Sequence, residues 1–259
     1  MKKRILAVLI ATALAVSVTG CAGNATSSSD STSASSVAES SDTSTQTSSD
    51  ASSEEESKGE SSQEESKDLE ANYTKYTLDG DLTQHMIDMS RLNEGNKVRL
   101  ANVIKKLKNG EEVTVGFIGG SITQGTSAGN DLCYAKLTAD WLQKTYSNAK
   151  INYVNAGIGA TGSYIGVHRV ANDLLSKNPD LVFVEFSVND TTENTERNKK
   201  SYDGLLRTIW KSSTNPAIIT IATTQEDGTS FQDQHAEIVK HYDLPMISYR
   251  NTILDTIKH

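Results

Sequence analysis

From Asn96 onward, the apolar positions of the chain follow two spacings in turn. Short runs rich in Val, Ile and Phe predict buried β-strands, and longer stretches with apolar residues three or four positions apart predict amphipathic helices. A helix over 96–110 ends on a glycine suited to terminating it, and strands and helices then alternate. The predicted strands are Val113–Ile118, Ile151–Asn155, Leu181–Phe186, Ala217–Ala222 and Pro245–Tyr249. The predicted helices are Leu132–Tyr146, Tyr164–Ser176, Lys199–Lys211, Phe231–Tyr242 and Thr252–His259.

This alternation predicts the fold class. Strands and helices of these lengths form parallel β-α-β units, in which helices cover both faces of one sheet. We therefore expect a three-layer α/β/α domain over 111–259, built on about five parallel strands. The residues 71–110 are predicted to form a lead that contains the first helix.

The segment 24–70 breaks the pattern. It holds no aromatic residue, and Val37 is its only aliphatic residue larger than alanine before Leu69. Such a Ser-, Thr- and Glu-rich segment cannot bury enough apolar surface to offset the entropy of ordering it. We predict a disordered tether over 21–70.

The acidic charge of the chain lies in this tether. Of the net −8 over 259 residues, the segment 24–70 contributes −10 and Lys2, Lys3 and Arg4 contribute +3, which leaves −1 for 71–259. The nearly neutral remainder shows no basic stripe of the kind that binds nucleic acid. The charge pattern therefore argues against a nucleic-acid partner.

Residues 1–20 have the layout of a secretory signal peptide, because a positive start is followed by an apolar run up to Val18. The sequence Val18-Thr19-Gly20-Cys21 resembles the lipobox of bacterial lipoproteins, which implies that Cys21 becomes the lipid-modified N-terminus. We expect an extracytoplasmic protein, anchored by lipid to the outer face of a bacterial cell membrane; the alternative is an ordinary secreted protein. The other cysteine, Cys133, has helical spacing that predicts a core position.

Candidate chemistry first appears at the end of the first strand of the predicted domain. The strand breaks into Gly119-Gly120-Ser121, so one hydroxyl stands at the carboxyl end of a parallel strand, where ligands bind in open α/β sheets. Ser121 is therefore a candidate nucleophile. The alternative is that Ser121 caps the next helix while the glycines make the turn.

A second glycine loop, 157–162, matches the GxGxxG pattern of dinucleotide-binding folds, and Glu185 follows where a ribose-binding acid could stand. Two features argue against NAD: the pattern opens the second β-α unit rather than the first, and a signal peptide delivers the domain away from any nicotinamide pool. Neither glycine turn is followed by the Lys-Ser/Thr of a P-loop.

Together, three successive β-α turns place Ser121, the loop 155–161 and Asn189 at one edge of the predicted sheet. Acyl transfer requires a nucleophile that faces donors for the oxyanion, and backbone N–H groups with an asparagine amide are suitable donors. The alternative for Asn189-Asp190 alone is helix capping.

These blocks, VGFIGGSITQG, YVNAGIGATGS and VFVEFSVND, resemble those of the SGNH (GDSL-type) hydrolase superfamily in order, spacing and strand context. The Gly-Gly-Ser-Ile-Thr form is most similar to its carbohydrate esterases. The resemblance implies a flavodoxin-like sheet, with Ser121 as nucleophile and the Asn189 amide and Ser121 N–H as oxyanion donors. It implies a third donor, the backbone N–H of Gly159 or Ala160.

The sequence departs from the pattern of the family in three respects. Gly120 stands where the eponymous motif has Asp, and Ala160 aligns with the glycine of the second block. The family's base comes from an Asp-x-x-His segment after the fifth strand, whereas Asp255 and His259 are one residue too far apart. We therefore expect a chain that is truncated at its C-terminus, and Asp255 and His259 remain weak candidates for the acid/base pair. The other histidines, His85, His168, His235 and His241, are expected at surface or core positions.

The resemblance implies a cell-surface serine esterase that removes acetyl or other short acyl groups from carbohydrate and requires no metal or cofactor. The expected partners are an acylated carbohydrate and, through Cys21, the membrane. The alternative is a lipoprotein of the same fold that binds carbohydrate or acts as a scaffold without catalysis.

Overall fold

The computed structural model describes residues 84–191 and 194–257, without the side chains of 255–257. The strands are β1 (Arg91–Asn93), β2 (Glu112–Gly119), β3 (Lys150–Gly157), β4 (Leu181–Glu185), β5 (Ala217–Ala222) and β6 (Met246–Ser248). The α-helices are α1 (Gln84–Ser90), α2 (Val98–Lys108), α3 (Ser121–Gln124), α4 (Tyr134–Thr145), α5 (Ser163–Asp173), α6 (Thr195–Trp210), α7 (Gln232–His241) and α8 (Tyr249–Ile257). Two 3₁₀ turns cover Leu175–Lys177 and Asn189–Thr191.

The strands form one sheet in the order β1-β6-β5-β4-β2-β3. Every neighbouring pair is parallel except the pair of β1 with β6. The predicted α/β class is confirmed. The sheet contains the five parallel strands that were predicted and one additional, antiparallel strand. The additional strand, β1, comes from the lead and pairs antiparallel with β6. Three residues are too short to show a strand period, so the sequence pattern gives no signal for β1.

Alternating side chains of the strands divide the core into two halves. Phe183 of β4 packs on the side of α2 and α4, whereas Val182 and Val184 pack on the opposite side with α5, α6 and α7. This two-sided burial explains why β4 is apolar at every position up to Glu185. Cys133 is 2% exposed and lies in the first half, so its predicted core position is confirmed.

Three helix boundaries differ from the prediction by three residues or more, and one of them is the start of α8, at Tyr249 rather than Thr252. The helix α6 begins at Thr195, four residues before the expected Lys199, because the Asn194 side chain accepts a hydrogen bond from the Arg197 N–H and caps it. The helix α5 ends at Asp173 and passes into a 3₁₀ turn rather than continuing to Ser176. Within the described residues, no helix combines the length and the apolar character that crossing a membrane requires.

Candidate active site

The turn that carries Ser121 is built by two glycines, at positions where a side chain would clash. A Cβ on Gly119 would lie 2.0 Å from Thr123 Oγ1, and a Cβ on Gly120 would lie 2.0 Å from Asn189 Oδ1. The turn places Ser121 at the first position of α3, so its N–H has no partner four residues earlier in the helix. The Ser121 side chain is half-buried, and its hydroxyl makes no hydrogen bond within the described part of the chain.

The same contact brings Asn189 to the serine. Asn189 begins the 3₁₀ turn that follows β4, and its amide packs against Gly120, immediately before Ser121. Because β2 and β4 are parallel neighbours, their carboxyl ends meet at one edge of the sheet. The amide that the sequence predicts as an oxyanion donor is therefore adjacent to the predicted nucleophile.

The loop after β3 completes the edge. A Cβ on Gly159 would lie 3.8 Å from Ser121 Cβ, so this loop also borders the serine. The Gly159 N–H donates to Gln124 Oε1 at 2.7 Å, whereas the Ala160 N–H donates to no group in the described part of the chain. Of the two predicted alternatives, the geometry favours Ala160 as the backbone donor.

Ala160 adopts a conformation that alanine rarely takes. Its φ is +57°, and the other non-glycine residues with positive φ in the described ranges are all Asn or Asp. Those residues enter the left-handed region at lower cost than alanine does. The alanine that replaces the family's glycine thus keeps a backbone shape that is typical of glycine.

Hydrogen bonds hold the three loops together. Asn155 Nδ2 donates to the Thr123 carbonyl at 2.8 Å, and Asn155 Oδ1 accepts from the Gly157 N–H at 2.9 Å. The carbonyl of Gly119 accepts from the Ile158 N–H and from Arg169 Nη2, both at 3.1 Å. Sequence reasoning did not identify Arg169, because its role depends on a contact across 50 residues.

Beneath the edge lies a buried pair, Asp190 and His235, 1% and 0% exposed. Asp190 Oδ2 accepts from His235 Nε2 at 2.9 Å, and Asp190 Oδ1 accepts from the Ser163 N–H at 2.8 Å. Burial lowers the pKa of His235, although the hydrogen bond and charge of Asp190 act in the opposite direction. The imidazole stacks on Tyr202 with ring centroids 3.6 Å apart. These hydrogen bonds therefore hold Asp190, the residue next to Asn189, in place.

A second buried carboxyl, Glu185, lies behind the turn that carries Ser121. Its Oε1 accepts from Thr223 Oγ1 at 2.6 Å and from the Ser187 N–H at 3.1 Å. Burial raises the pKa of Glu185, and these hydrogen bonds partly oppose the shift. Because the side chain is fully buried and bonded inward, Glu185 is not presented to a ribose beside the GxGxxG loop.

Comparisons with known proteins agree with this geometry. Residues 117–245 match the model of the GDSL-like Lipase/Acylhydrolase family, a range that contains all three loops. The chain carries a GDSL-like lipase/acylhydrolase domain. The resemblance stated from the sequence is therefore confirmed at the level of the family.

Two solved structures of a two-domain esterase, CEX, described as active on acetylated mannans, are similar to this chain. One was co-crystallised with mannopentaose. Each is 40% identical over 66% of this chain and 46% of its own chain, with TM-scores of 0.63 and 0.64. The chain thus aligns with less than half of the length of that esterase. No curated protein sequence matches the chain.

None of the described histidine side chains forms a hydrogen bond with Ser121. His85, His168 and His241 are exposed, and His235 is fully buried behind Asp190. Asp255 lies in α8, and the structure does not describe its side chain. His259 and Cys21 lie outside the described residues, so their assignments stay predictions. The described residues contain no group of three or more His, Cys, Asp or Glu side chains that could hold a metal ion.

Proposed function

We propose that the chain is a serine esterase that removes acetyl or other short acyl groups from carbohydrate. The observation that carries this proposal is the unbonded Ser121 hydroxyl, bordered by the Asn189 amide and the Ala160 turn. Family membership and the 40% identity to an esterase described as active on acetylated mannans support the same reaction class.

In this reaction, Ser121 Oγ attacks the ester carbonyl and forms a tetrahedral intermediate whose oxygen is negatively charged. The Ser121 N–H, the Ala160 N–H and the Asn189 amide are placed to donate to that oxygen. Each fixed donor contributes about 3–4 kcal/mol to the transition state. Collapse of the intermediate releases the sugar hydroxyl, and water then hydrolyses the acyl-serine.

The attack also requires a base, because a serine hydroxyl is a weak nucleophile at neutral pH. His235 does not fill this role, since it is fully buried and its Nε2 is bonded to Asp190. The family pattern implies a histidine from an Asp-x-x-His segment. Within this chain, Asp255 and His259 remain the candidates for that role.

A second function has one observation in its favour. No histidine side chain bonds to Ser121 within the described ranges. A GDSL-like domain without a base would keep the fold and the loops at the sheet edge and would bind acylated carbohydrate without hydrolysing it.

We also assign the protein to the outer face of a bacterial cell membrane, held by a lipid on Cys21. The support is the sequence of 1–21 alone, with its positive start, apolar run and lipobox-like ending. Metabolic labelling with a palmitate analogue tests this assignment. Labelling of the full chain and not of Cys21→Ala is expected; equal labelling of both would contradict the anchor.

The hydrolysis itself is tested by acetate release from acetylated mannan. The full chain is expected to release acetate, and Ser121→Ala is expected to release none above background. Ser127→Ala, which removes an exposed hydroxyl six residues away, is the matched control and should keep full activity. If the unmodified chain binds acetylated mannan but releases no acetate, the non-catalytic function is the correct one for this chain.

A further inference from the structure

A groove extends from the oxyanion donors across the surface of the domain. Its first cavity, of about 340 Å³, is lined by Ala160 and Asn189 and also by Tyr164 and Arg197. A second cavity, of about 480 Å³, shares Tyr164 and Arg197 and continues to Lys200. Both volumes lie in the range of ligand-binding cavities. The two cavities therefore adjoin through one pair of side chains.

That pair is a stack of a guanidinium on a phenol ring. The Arg197 Cζ atom lies 4.7 Å from the ring centroid of Tyr164, which is 42% exposed. Within residues 84–191 and 194–257, Arg197 has no carboxylate partner, and its one side-chain hydrogen bond runs from Nε to Asn198 Oδ1 at 3.4 Å. Most of its five N–H donors are therefore available to a ligand.

The place of Arg197 is not explained by helix stability. It lies in the first turn of α6, where the helix dipole disfavours a positive charge. The interaction with the Tyr164 ring offsets part of that cost at an exposed site. Arg197 therefore gains little for helix stability and has no carboxylate partner in the described ranges. Because it also lines the groove next to the oxyanion donors, it is suited to binding a ligand.

The donors and surfaces of the groove match a neutral sugar chain. Arg197 and Lys200 donate to hydroxyl oxygens, and the Tyr164 ring offers an apolar face to the C–H side of a sugar ring. Glu196 also lines the second cavity and opposes a polyanionic ligand there.

We propose that this groove binds two successive neutral sugar residues, one in each cavity, with the Tyr164–Arg197 stack between them. The sugar that carries the ester occupies the cavity beside Ala160 and Asn189. This assignment rests on the proposed function, because it takes the acyl group to lie at Ser121.

Calorimetric titration of the full chain with mannopentaose tests the assignment without requiring hydrolysis. Arg197→Ala is expected to weaken binding at least about tenfold, the loss expected for one hydrogen bond to a charged group. Tyr164→Ala removes the apolar face that contacts the sugar and is also expected to weaken binding. Arg207→Ala is the matched control, because this exposed arginine lies on the same helix and also contacts a tyrosine, Tyr242. It should bind as the unmodified chain does. Thermal unfolding of each variant checks the fold.

The outcomes separate this assignment from the hydrolysis. If Ser121→Ala binds mannopentaose unchanged while Tyr164→Ala and Arg197→Ala bind weakly, the groove is the sugar site whether or not acetate is released. Equal binding of mannopentaose by all variants would overturn the placement of the sugar site at Tyr164 and Arg197. No binding of mannopentaose, or binding of an oligogalacturonate in its place, would overturn the neutral-sugar ligand.

Discussion

Two sets of polar residues meet at the carboxyl edge of the sheet, and they differ in their hydrogen bonds. In the catalytic edge, defined by Ser121, Ala160 and Asn189, the Ser121 hydroxyl and the Ala160 N–H have no partner in the described part of the chain. In the buried polar layer, defined by Glu185, Ser187, Asp190, Thr223 and His235, both oxygens of Asp190 accept hydrogen bonds and Glu185 Oε1 accepts from three groups. The edge therefore leaves a hydroxyl and an N–H open to a ligand, whereas the carboxylates of the layer are already bonded within the domain.

Replacing Asp190 has the largest expected effect on stability. Asp190→Ala removes the acceptor of the Ser163 N–H and of His235 Nε2, and both donors remain buried. We expect the free energy of unfolding in urea to fall by about 2–5 kcal/mol. Asp140→Ala, which removes an exposed ion pair with Lys136 on α4, is the control and should cost less than about 1 kcal/mol. A similar, small loss in both variants would contradict the role of the buried polar layer.

Replacing Asn189 separates the edge from the layer, because the two residues are neighbours in sequence. Asn189→Ala is expected to lower kcat about 10²- to 10³-fold with little change in KM, since the proposed oxyanion donor stabilises the transition state and not the bound substrate. Steady-state hydrolysis of an aryl acetate measures both constants. Asn172→Ala, an exposed asparagine on α5, is the control. A loss of kcat below about threefold would remove Asn189 from the oxyanion site.

The pH dependence of stability probes the layer alone. Burial holds the pKa of His235 below its ordinary value of 6.5, so the unfolded chain binds a proton more readily than the folded chain does. The contribution of the neutral His235 side chain to the free energy of unfolding is complete above pH 6.5. It is lost as the pH falls below 6.5, by at most about 1.4 kcal/mol per pH unit. Urea unfolding at pH 5.5 and 7.5 should show this slope, and His235→Gln should lose it. His241→Gln, exposed on the same helix, should retain it; equal slopes in both variants would contradict the assignment.

The smallest expected effect is at Ala160. Because its φ is +57°, Ala160→Gly removes the steric cost of the left-handed conformation and keeps the N–H in place. We expect a gain of up to about 1 kcal/mol in the free energy of unfolding and a kcat within about twofold of the unmodified chain. Chemical denaturation and aryl acetate kinetics measure these quantities. A kcat that falls tenfold would show that the methyl group of Ala160, and not its N–H alone, contributes to the site.

The catalytic edge was more predictable than the layer beneath it. Ser121 and Asn189 follow apolar strands directly, and parallel strands bring their carboxyl ends together, so their meeting follows from local pattern. The pairing of Asp190 with His235 spans 45 residues and depends on how α7 packs. The choice between Gly159 and Ala160 depends on one hydrogen bond to Gln124, which no spacing rule contains.

One edge of the sheet and the groove were also not predictable from local pattern, because both depend on tertiary packing. The strand β1 has three residues and no period, and its pairing with β6 was therefore not visible in the sequence. The stack of Arg197 on Tyr164 joins two helices whose relative position follows from the packed core. Local pattern therefore predicted where strands end, and tertiary packing decided which side chains meet.

Labelling of the full chain with a fluorophosphonate probe, followed by mass mapping of the adduct, tests the central claim that Ser121 is an activated nucleophile. The account predicts one adduct, on Ser121, which disappears in Ser121→Ala and is unchanged in Ser127→Ala. A chain that hydrolyses acetylated mannan but carries its adduct on another serine would contradict the account.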